Sequence, residues 1–270
     1  MRTYLVHALV LAAVIAVPGA LEAAESPALA RARTLYNSAD YEGAIDAASV
    51  ARRDPQWADA AALIVARARL ERYRQSGAAS ELADAREALQ TVRVASLAPR
   101  DQVDLIIGLG QALYLGEVYG PAAELFDTAL DKGMLLGARD RTMLLDWWAT
   151  ALDRDAQTRT FDRRPVVYGR IGERMDRELH EDPSNSVANY WQVAAARGVG
   201  DLDRAWSTAI AAWVRSTLNP ASTAQLRADL DRVVEQALIP DRARANPGHE
   251  GPDLVETLRA EWALVKENWK

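Results

Sequence analysis

The feature that most constrains this chain is a spacing that occurs three times. Residues 108–130 read GLGQALYLGEVYGPAAELFDTAL. Within them Gly110, Leu113, Tyr119, Ala122, Phe126 and Ala129 follow one another in steps of 3, 6, 3, 4 and 3. The same steps give Ala32, Leu35, Tyr41, Ala44, Ala48 and Ala51, and again Val193, Ala196, Leu202, Ala205, Ala209 and Ala212. Every one of these residues is small, apolar or aromatic. Steps of three and four hold side chains on one face of a helix, and the step of six carries the chain around a turn. Each copy is therefore an antiparallel helical hairpin with a matched inner face. The turns are also alike: SADYEGA, GEVYGPA and VGDLDRA. Antiparallel helices come close only where small side chains meet, so Gly110 and Ala122 mark a crossing, with Leu113, Tyr119 and Phe126 filling the volume beside it. Gly108 and Gly110 are packing choices, each costing up to ~1 kcal/mol of helix propensity. Gly116 and Gly120 read as turn residues.

The rest of the chain continues the theme. From Ala28 onward apolar residues recur at helical spacing, and strand signals are nearly absent. Breaks fall near 39–40, 53–56, 76–79, 97–100, 116–120, 133–138, 155–164, 182–185, 198–201, 217–221 and 239–252. A second-helix pattern recurs at Leu82, Ala85, Leu89 and Val92, whereas a fourth hairpin is irregular, with the link DAQTRTFDRR and Pro165 opening its second helix. Residues 221–238 form a further amphipathic helix, followed by a Pro/Gly linker near 239–252. The last helix carries Leu254, Leu258, Trp262, Val265 and Trp269 on one stripe, which suits a cap over the open end of an array. The expected fold is all-α: hairpins stacked as an α-solenoid over 24–216, with C-terminal helices over 217–270.

The first 23 residues have a different character. Arg2 precedes an apolar run from Leu5 to Val17, then Pro18, Gly19 and small residues. This is the pattern of a secretory signal peptide, with cleavage after Ala23. The run is shorter than the ~20 residues a membrane span needs, and no other segment is apolar enough. The expected mature protein is periplasmic or secreted, without a transmembrane span. The chain has no cysteine, which excludes disulfides, cysteine metal sites and lipoprotein attachment. A net charge of -6, with arginines interleaved among acids as in RADLDRVVE, argues against a nucleic-acid partner.

The repeated pattern resembles the tetratricopeptide repeat (TPR) family, in a divergent, exported form. That family places small residues at the eighth, twentieth and twenty-seventh positions of each repeat, where Gly110, Ala122 and Ala129 stand here. It places large ones at the eleventh, seventeenth and twenty-fourth, matched by Leu113, Tyr119 and Phe126. The copies begin 78 and 83 residues apart, or about 40 per hairpin against ~34 in the standard repeat. The resemblance implies a superhelix whose concave face is lined by the first helix of each hairpin. Carried over, its binding positions become Arg33, Tyr36 and Asn37 in the first hairpin, beside Leu29. In the third they become Ile107, Gln111 and Tyr114, with Asp104 and Leu115. In the fifth they become Tyr190 and Arg197, with Val187 and Ala194. The Lys/Asn/Arg set with which some family members clamp a peptide carboxylate is absent.

Signals of chemistry are few. His7, His180 and His249 stand far apart, and no HExxH, GxSxG or phosphate-loop motif occurs. GLGQAL lacks the preceding strand and third glycine of a dinucleotide site. No cofactor, metal or catalytic residue is expected. Trp147 and Trp148 point ~100° apart on a helix, so one of them reaches a groove or a seam between hairpins. The expected function is a non-catalytic scaffold or adaptor that binds a protein or peptide in the cell envelope. The alternative is a periplasmic accessory of a transporter that holds a small molecule, for which a buried polar pocket near Trp147 or Trp148 would speak. A peptidoglycan-acting enzyme stands third.

Overall fold

The computed structural model describes residues 25–245 and 251–270, so the expected signal peptide lies outside the described residues. The helices are α1 (Pro27–Asn37), α2 (Tyr41–Ala51), α3 (Ala58–Ser76), α4 (Ala79–Thr91), α5 (Pro99–Leu115) and α6 (Tyr119–Asp131). They continue as α7 (Ala138–Thr158), α8 (Arg164–Glu181), α9 (Ser186–Val199), α10 (Leu202–Arg215), α11 (Thr223–Val233), α12 (Ile239–Ala245) and α13 (Gly251–Asn268). Among the described residues there is no strand, and no helix is long and apolar enough to cross a membrane.

Local signals set the helix ends. Ser26, Asp40, Asn185 and Asp201 each accept a backbone N–H from three residues on, the bond that satisfies an orphan donor at a helix start. Pro99 and Pro165 sit in the first turns of α5 and α8, where a missing N–H costs nothing.

The three copies of the spacing fold alike. In each, the turn passes through one left-handed residue at the same place: Ala39 (φ 62°), Glu117 (φ 62°) and Gly200 (φ 91°). Its amide donates to the carbonyl of Tyr36, Tyr114 or Arg197, each at 3.0 Å. The next amide reaches back to Leu35, Leu113 or Ala196 at 2.9, 2.9 and 3.1 Å. This paired bonding closes a helix end and sets the angle at which the next helix leaves. Only one of the three turns spends a glycine there. Gly116 precedes the left-handed residue with φ −90°, so it is not the residue that needs conformational freedom. Gly120 lies inside α6, where a Cβ would come within 2.9 Å of Asp155 Oδ1 on α7; it permits a close approach rather than a turn.

Burial follows the spacing as well. Gly110, Ala122, Phe126 and Ala129 are buried, as are Ala32, Ala44, Ala48 and Ala51, and Val193, Ala205, Ala209 and Ala212. The hairpins stack in sequence, each second helix packing on the first helix of the next pair. First helices also lie side by side: α1 on α3, α3 on α5, α7 on α9 and α9 on α11. Second helices approach one another less closely, so the first-helix layer is the inner one. The α5–α7 junction is the loosest of the first-helix series. At α8 the pairing shifts: this helix packs chiefly on α9 rather than on α7, consistent with the five-residue link 159–163 between α7 and α8.

Two boundaries differ from the sequence expectation. Helix α7 runs on to Thr158, into the stretch 155–164 expected as a break. Of the expected linker 239–252, residues 239–245 form α12 and 251–252 open α13, and a π-helical turn, Val234–Leu238, joins α11 to α12. The amide of Ile239 bonds Val234 O, five residues back, and this wider turn lets Pro240 enter a helix without its own N–H. The final helix packs on the last hairpin, with Trp262 wholly buried between Trp206 and Trp213 at ring separations of 6.2 and 5.3 Å. Of the expected stripe, Leu254, Leu258, Trp262 and Val265 face this core, while Trp269 is half exposed.

Candidate binding groove on the first-helix face

Three hollows run in series along the face made by the first helices. The most enclosed is a crevice with about 50 Å³ of free volume between α5 and α7, reached also by α1 and α3. Its lining includes Tyr36, Arg67, Asp104, Ile107, Gln111 and Trp147, with Phe126 of α6 beneath. The second hollow holds Arg74, Tyr114, Leu115, Asp146, Trp147 and Thr150. The third is made by Asp146 of α7, Val187 and Tyr190 of α9, and Gln225, Leu226 and Asp229 of α11. Trp147 is common to the first two and Asp146 to the last two, so neighbouring hollows adjoin along this face.

Helix α5 carries Asp104, Ile107, Gln111 and Tyr114 on one stripe because their steps are 3, 4 and 3. Trp147 stands half-buried in an aromatic cluster, 5.1 Å from the Tyr114 ring and 5.9 Å from Phe126. Trp148, one residue on, turns into the core at 1% exposure. Arg74 lies over the Trp147 ring at 5.1 Å and Arg67 over Tyr36 at 4.7 Å, so both cations are held by ring faces. Burial pushes the Tyr36 and Tyr190 hydroxyls above the usual phenol range, aided at Tyr190 by the charge of Asp229. Both therefore remain protonated hydrogen-bond donors at neutral pH.

The lining of the crevice includes buried polar side chains. Asp104 and Gln111 are 5% and 6% exposed. Asp104 Oδ2 pairs with Arg67 Nη1 at 3.0 Å. Asp104 Oδ1, Gln111 Oε1 and Arg67 Nε are buried, and none has a hydrogen-bond partner. Buried polar atoms are nearly always satisfied, so these three stand out beneath the crevice, each closed off from solvent.

Of the residues expected in the groove, Tyr36, Ile107 and Gln111 meet in the crevice, Tyr114 lines the second hollow and Tyr190 the third. Arg33 instead holds both carboxylate oxygens of Asp101, at 2.9 and 2.8 Å, and Glu25 at 2.6 Å. Arg197 holds Asp241 of α12 at 2.6 Å. These two arginines tie helices together. Asn37 is exposed and lines none of the three hollows. Leu29 is core, at 0% exposure. Sequence reasoning missed Arg67 and Arg74 of α3, and Asp140, Met143 and Asp146 of α7, because the repeat signature is blurred in the second and fourth hairpins. The adjacent tryptophans were the surviving signal there.

Among the described residues, no three His, Cys, Asp or Glu side chains gather into a metal site. No protein-family model matches the chain, and no curated protein matches it.

Proposed function

We propose that this chain is an exported, TPR-like repeat protein of the cell envelope that binds a segment of a partner protein along its first-helix face, without catalysis. The observation that carries the reading is a row of adjoining hollows from α1 to α11, the first two meeting at Trp147 and the last two at Asp146. An extended peptide needs such a track, with pockets at intervals for side chains and hydrogen-bond donors between them. Tyr and Trp supply large contact area at small entropic cost, and they dominate binding energy at interfaces. The copied hairpins support the TPR-like assignment, and the apolar N-terminal run supports export. The test is retention of envelope proteins by the immobilised chain, with a Tyr114→Ala/Tyr190→Ala variant beside it. Both tyrosines are half-buried at the groove, so the variant should keep its fold and lose a specific partner. A partner retained equally by both would refute the groove.

The crevice favours a second reading, in which the chain holds a small molecule as the accessory of an envelope transporter. Its free volume of about 50 Å³ lies below the ~300–1,000 Å³ of drug-sized ligand sites, so only a very small molecule would fit. Its lining sets the polar side chains Asp104 and Gln111 beside an aromatic wall of Phe126 and Trp147. A thermal shift on addition of one member of a metabolite panel would support this reading; no shift with any member would count against it.

A further inference from the structure

The links between successive hairpins form a surface that the groove does not use. Links 52–57, 92–98 and 132–137 each join a second helix to the first helix of the next pair. In a stack of antiparallel hairpins such links fall on one edge of the array. Bonds between neighbouring links hold them there. Arg93 of the second link donates its backbone N–H and its Nε to Asp59 in the first turn of α3, each at 3.1 Å. Arg100, in the first turn of α5, reaches Leu135 O of the third link and Asp140 in the first turn of α7, both at 2.7 Å.

Charge is spread unevenly between the two edges. The three links contain Arg52, Arg53, Arg93 and Lys132 against one acid, Asp54, and the exposed Arg139 follows in the first turn of α7. Among the described residues Arg52, Arg53, Lys132 and Arg139 form no ion pair. The nearby Asp131, closing α6, is drawn toward Arg174 at 3.6 Å. The later links, 182–185 and 216–222, contain no cation. On the opposite edge the turns 38–40, 77–78, 116–118 and 200–201 contain Asp40, Glu117 and Asp201 and no cation. A chain of net charge -6 thus carries a local positive edge. The same edge is studded with apolar side chains. Short 3-10 turns, Val94–Ser96 and Gly133–Leu135, shape the second and third links. Met134 is fully exposed at 102%, and Val50, Val94 and Leu135 are exposed as well. None of the four lines the three hollows of the groove.

We propose that the array docks edge-on on an anionic membrane surface through its first three inter-hairpin links, with Met134 and Leu135 entering the lipid and Arg52, Arg53, Lys132 and Arg139 meeting head-group phosphates. A protein partner is held by a compact, well-packed patch with large anchors at its centre. Separate apolar tips set between unpaired cations suit a fluid surface instead: each tip enters the acyl boundary, and each cation is drawn by the negative surface potential. Docked in this way, the first-helix face stands upright from the membrane and stays open to a partner. The link 159–163, on the opposite edge, has one comparable tip, Phe161, but its arginines are each matched to an acid, Arg159 to Asp155 at 2.6 Å and Arg163 to Asp162 at 3.6 Å.

The test is co-sedimentation of the purified chain with vesicles of phosphatidylcholine, alone and with phosphatidylglycerol added. The chain is used from Ala24, the form expected after export, so that the apolar run Leu5–Val17 cannot itself carry binding. It should bind the anionic vesicles at least about tenfold more tightly than the neutral ones. Binding should weaken at about 1 M salt, where the screening length shortens to about 3 Å. Lys132→Gln/Arg139→Gln should weaken it about tenfold, and Met134→Asp by as much. All three positions are exposed, so the melting curves of these variants should match the wild type. Phe161→Asp, the same kind of change on the opposite edge, should leave binding unaltered. Equal binding to the two kinds of vesicle, binding to neither, or loss on Phe161→Asp without loss on Met134→Asp would each overturn the proposal. So would capture of polyglutamate through Lys132 and Arg139 without vesicle binding, which would assign the edge to an acidic protein.

Discussion

Gly110 is the point at which the repeat spacing, the packing and the groove meet, and its replacement by alanine tests all three. A Cβ built there would lie 2.5 Å from Phe126 Cε1, 2.8 Å from Cδ1 and 3.3 Å from Cζ. The Phe126 ring is 0% exposed and confined by Trp147, 5.9 Å away on the side of the crevice. Two opposing effects decide the sign. Alanine improves helix propensity over glycine by about 1 kcal/mol. Overpacking a closed core against a rigid ring costs about 1–3 kcal/mol, and contacts below 3 Å put this site at or beyond the upper end. The net loss is about 2 kcal/mol, or roughly 4–8 °C in Tm for a chain of this size. Gly169→Ala is the control. It lies within α8 with nothing inside 4 Å of a built Cβ, so only the propensity gain remains. It should raise Tm by roughly 2–4 °C. Thermal melts followed by far-UV circular dichroism read both shifts. A Gly110→Ala protein as stable as the wild type would refute the proposed α5–α6 crossing.

Three further outcomes follow from the same geometry. Glu117→Gly should stabilise the chain by up to about 1 kcal/mol, read from denaturant unfolding, because Glu117 holds φ 62° where Gly200 serves the matching turn. Trp262→Ala should cost about 3–5 kcal/mol and release α13 to proteolysis, since the ring is wholly buried against Trp206 and Trp213. The third concerns acid. Burial pushes the Asp231 carboxyl upward, but hydrogen bonds from Lys266 Nζ (2.6 Å) and Trp262 Nε1 (2.9 Å), with the lysine's charge, hold it below the usual carboxylate range. A lowered folded-state pKa contributes stability that is present above the unfolded value of about 3.9 and is lost as pH falls through the folded value. Hydrogen exchange in α13 should therefore quicken in that acid window, and Asp231→Asn should remove the pH dependence.

The helical hairpins were legible because one-dimensional periodicity encodes them. Steps of three and four among Gly110, Leu113, Ala122, Phe126 and Ala129 need no knowledge of distant residues. The turn register was only half legible, since Ala39 and Glu117 occupy left-handed positions that their side chains do not advertise. Long-range pairing was not legible at all. Arg33 and Arg197 stand at positions that the family resemblance assigns to the groove, yet Asp101 and Asp241 claim them from far along the chain. The crevice itself arises from a loose α5–α7 junction, which depends on how successive hairpins pack. Its α3 and α7 residues lie in the two hairpins with the weakest repeat signature. Helix α12 escaped notice because Pro240 signals a break, and only the π-helical turn before it makes room for that proline.

The most direct measurement of the central claim compares partner retention by three forms of the chain: wild type, Tyr114→Ala/Tyr190→Ala on the groove, and Phe161→Ala on an exposed link, 84% accessible and outside all three hollows. Solubilised envelope proteins are passed over each immobilised form after its melting curve has been matched to wild type. The account predicts a specific protein held by wild type and by Phe161→Ala, and lost from the groove variant. Retention by the groove variant, with loss on Phe161→Ala, would contradict it and move the binding surface to the other face of the array.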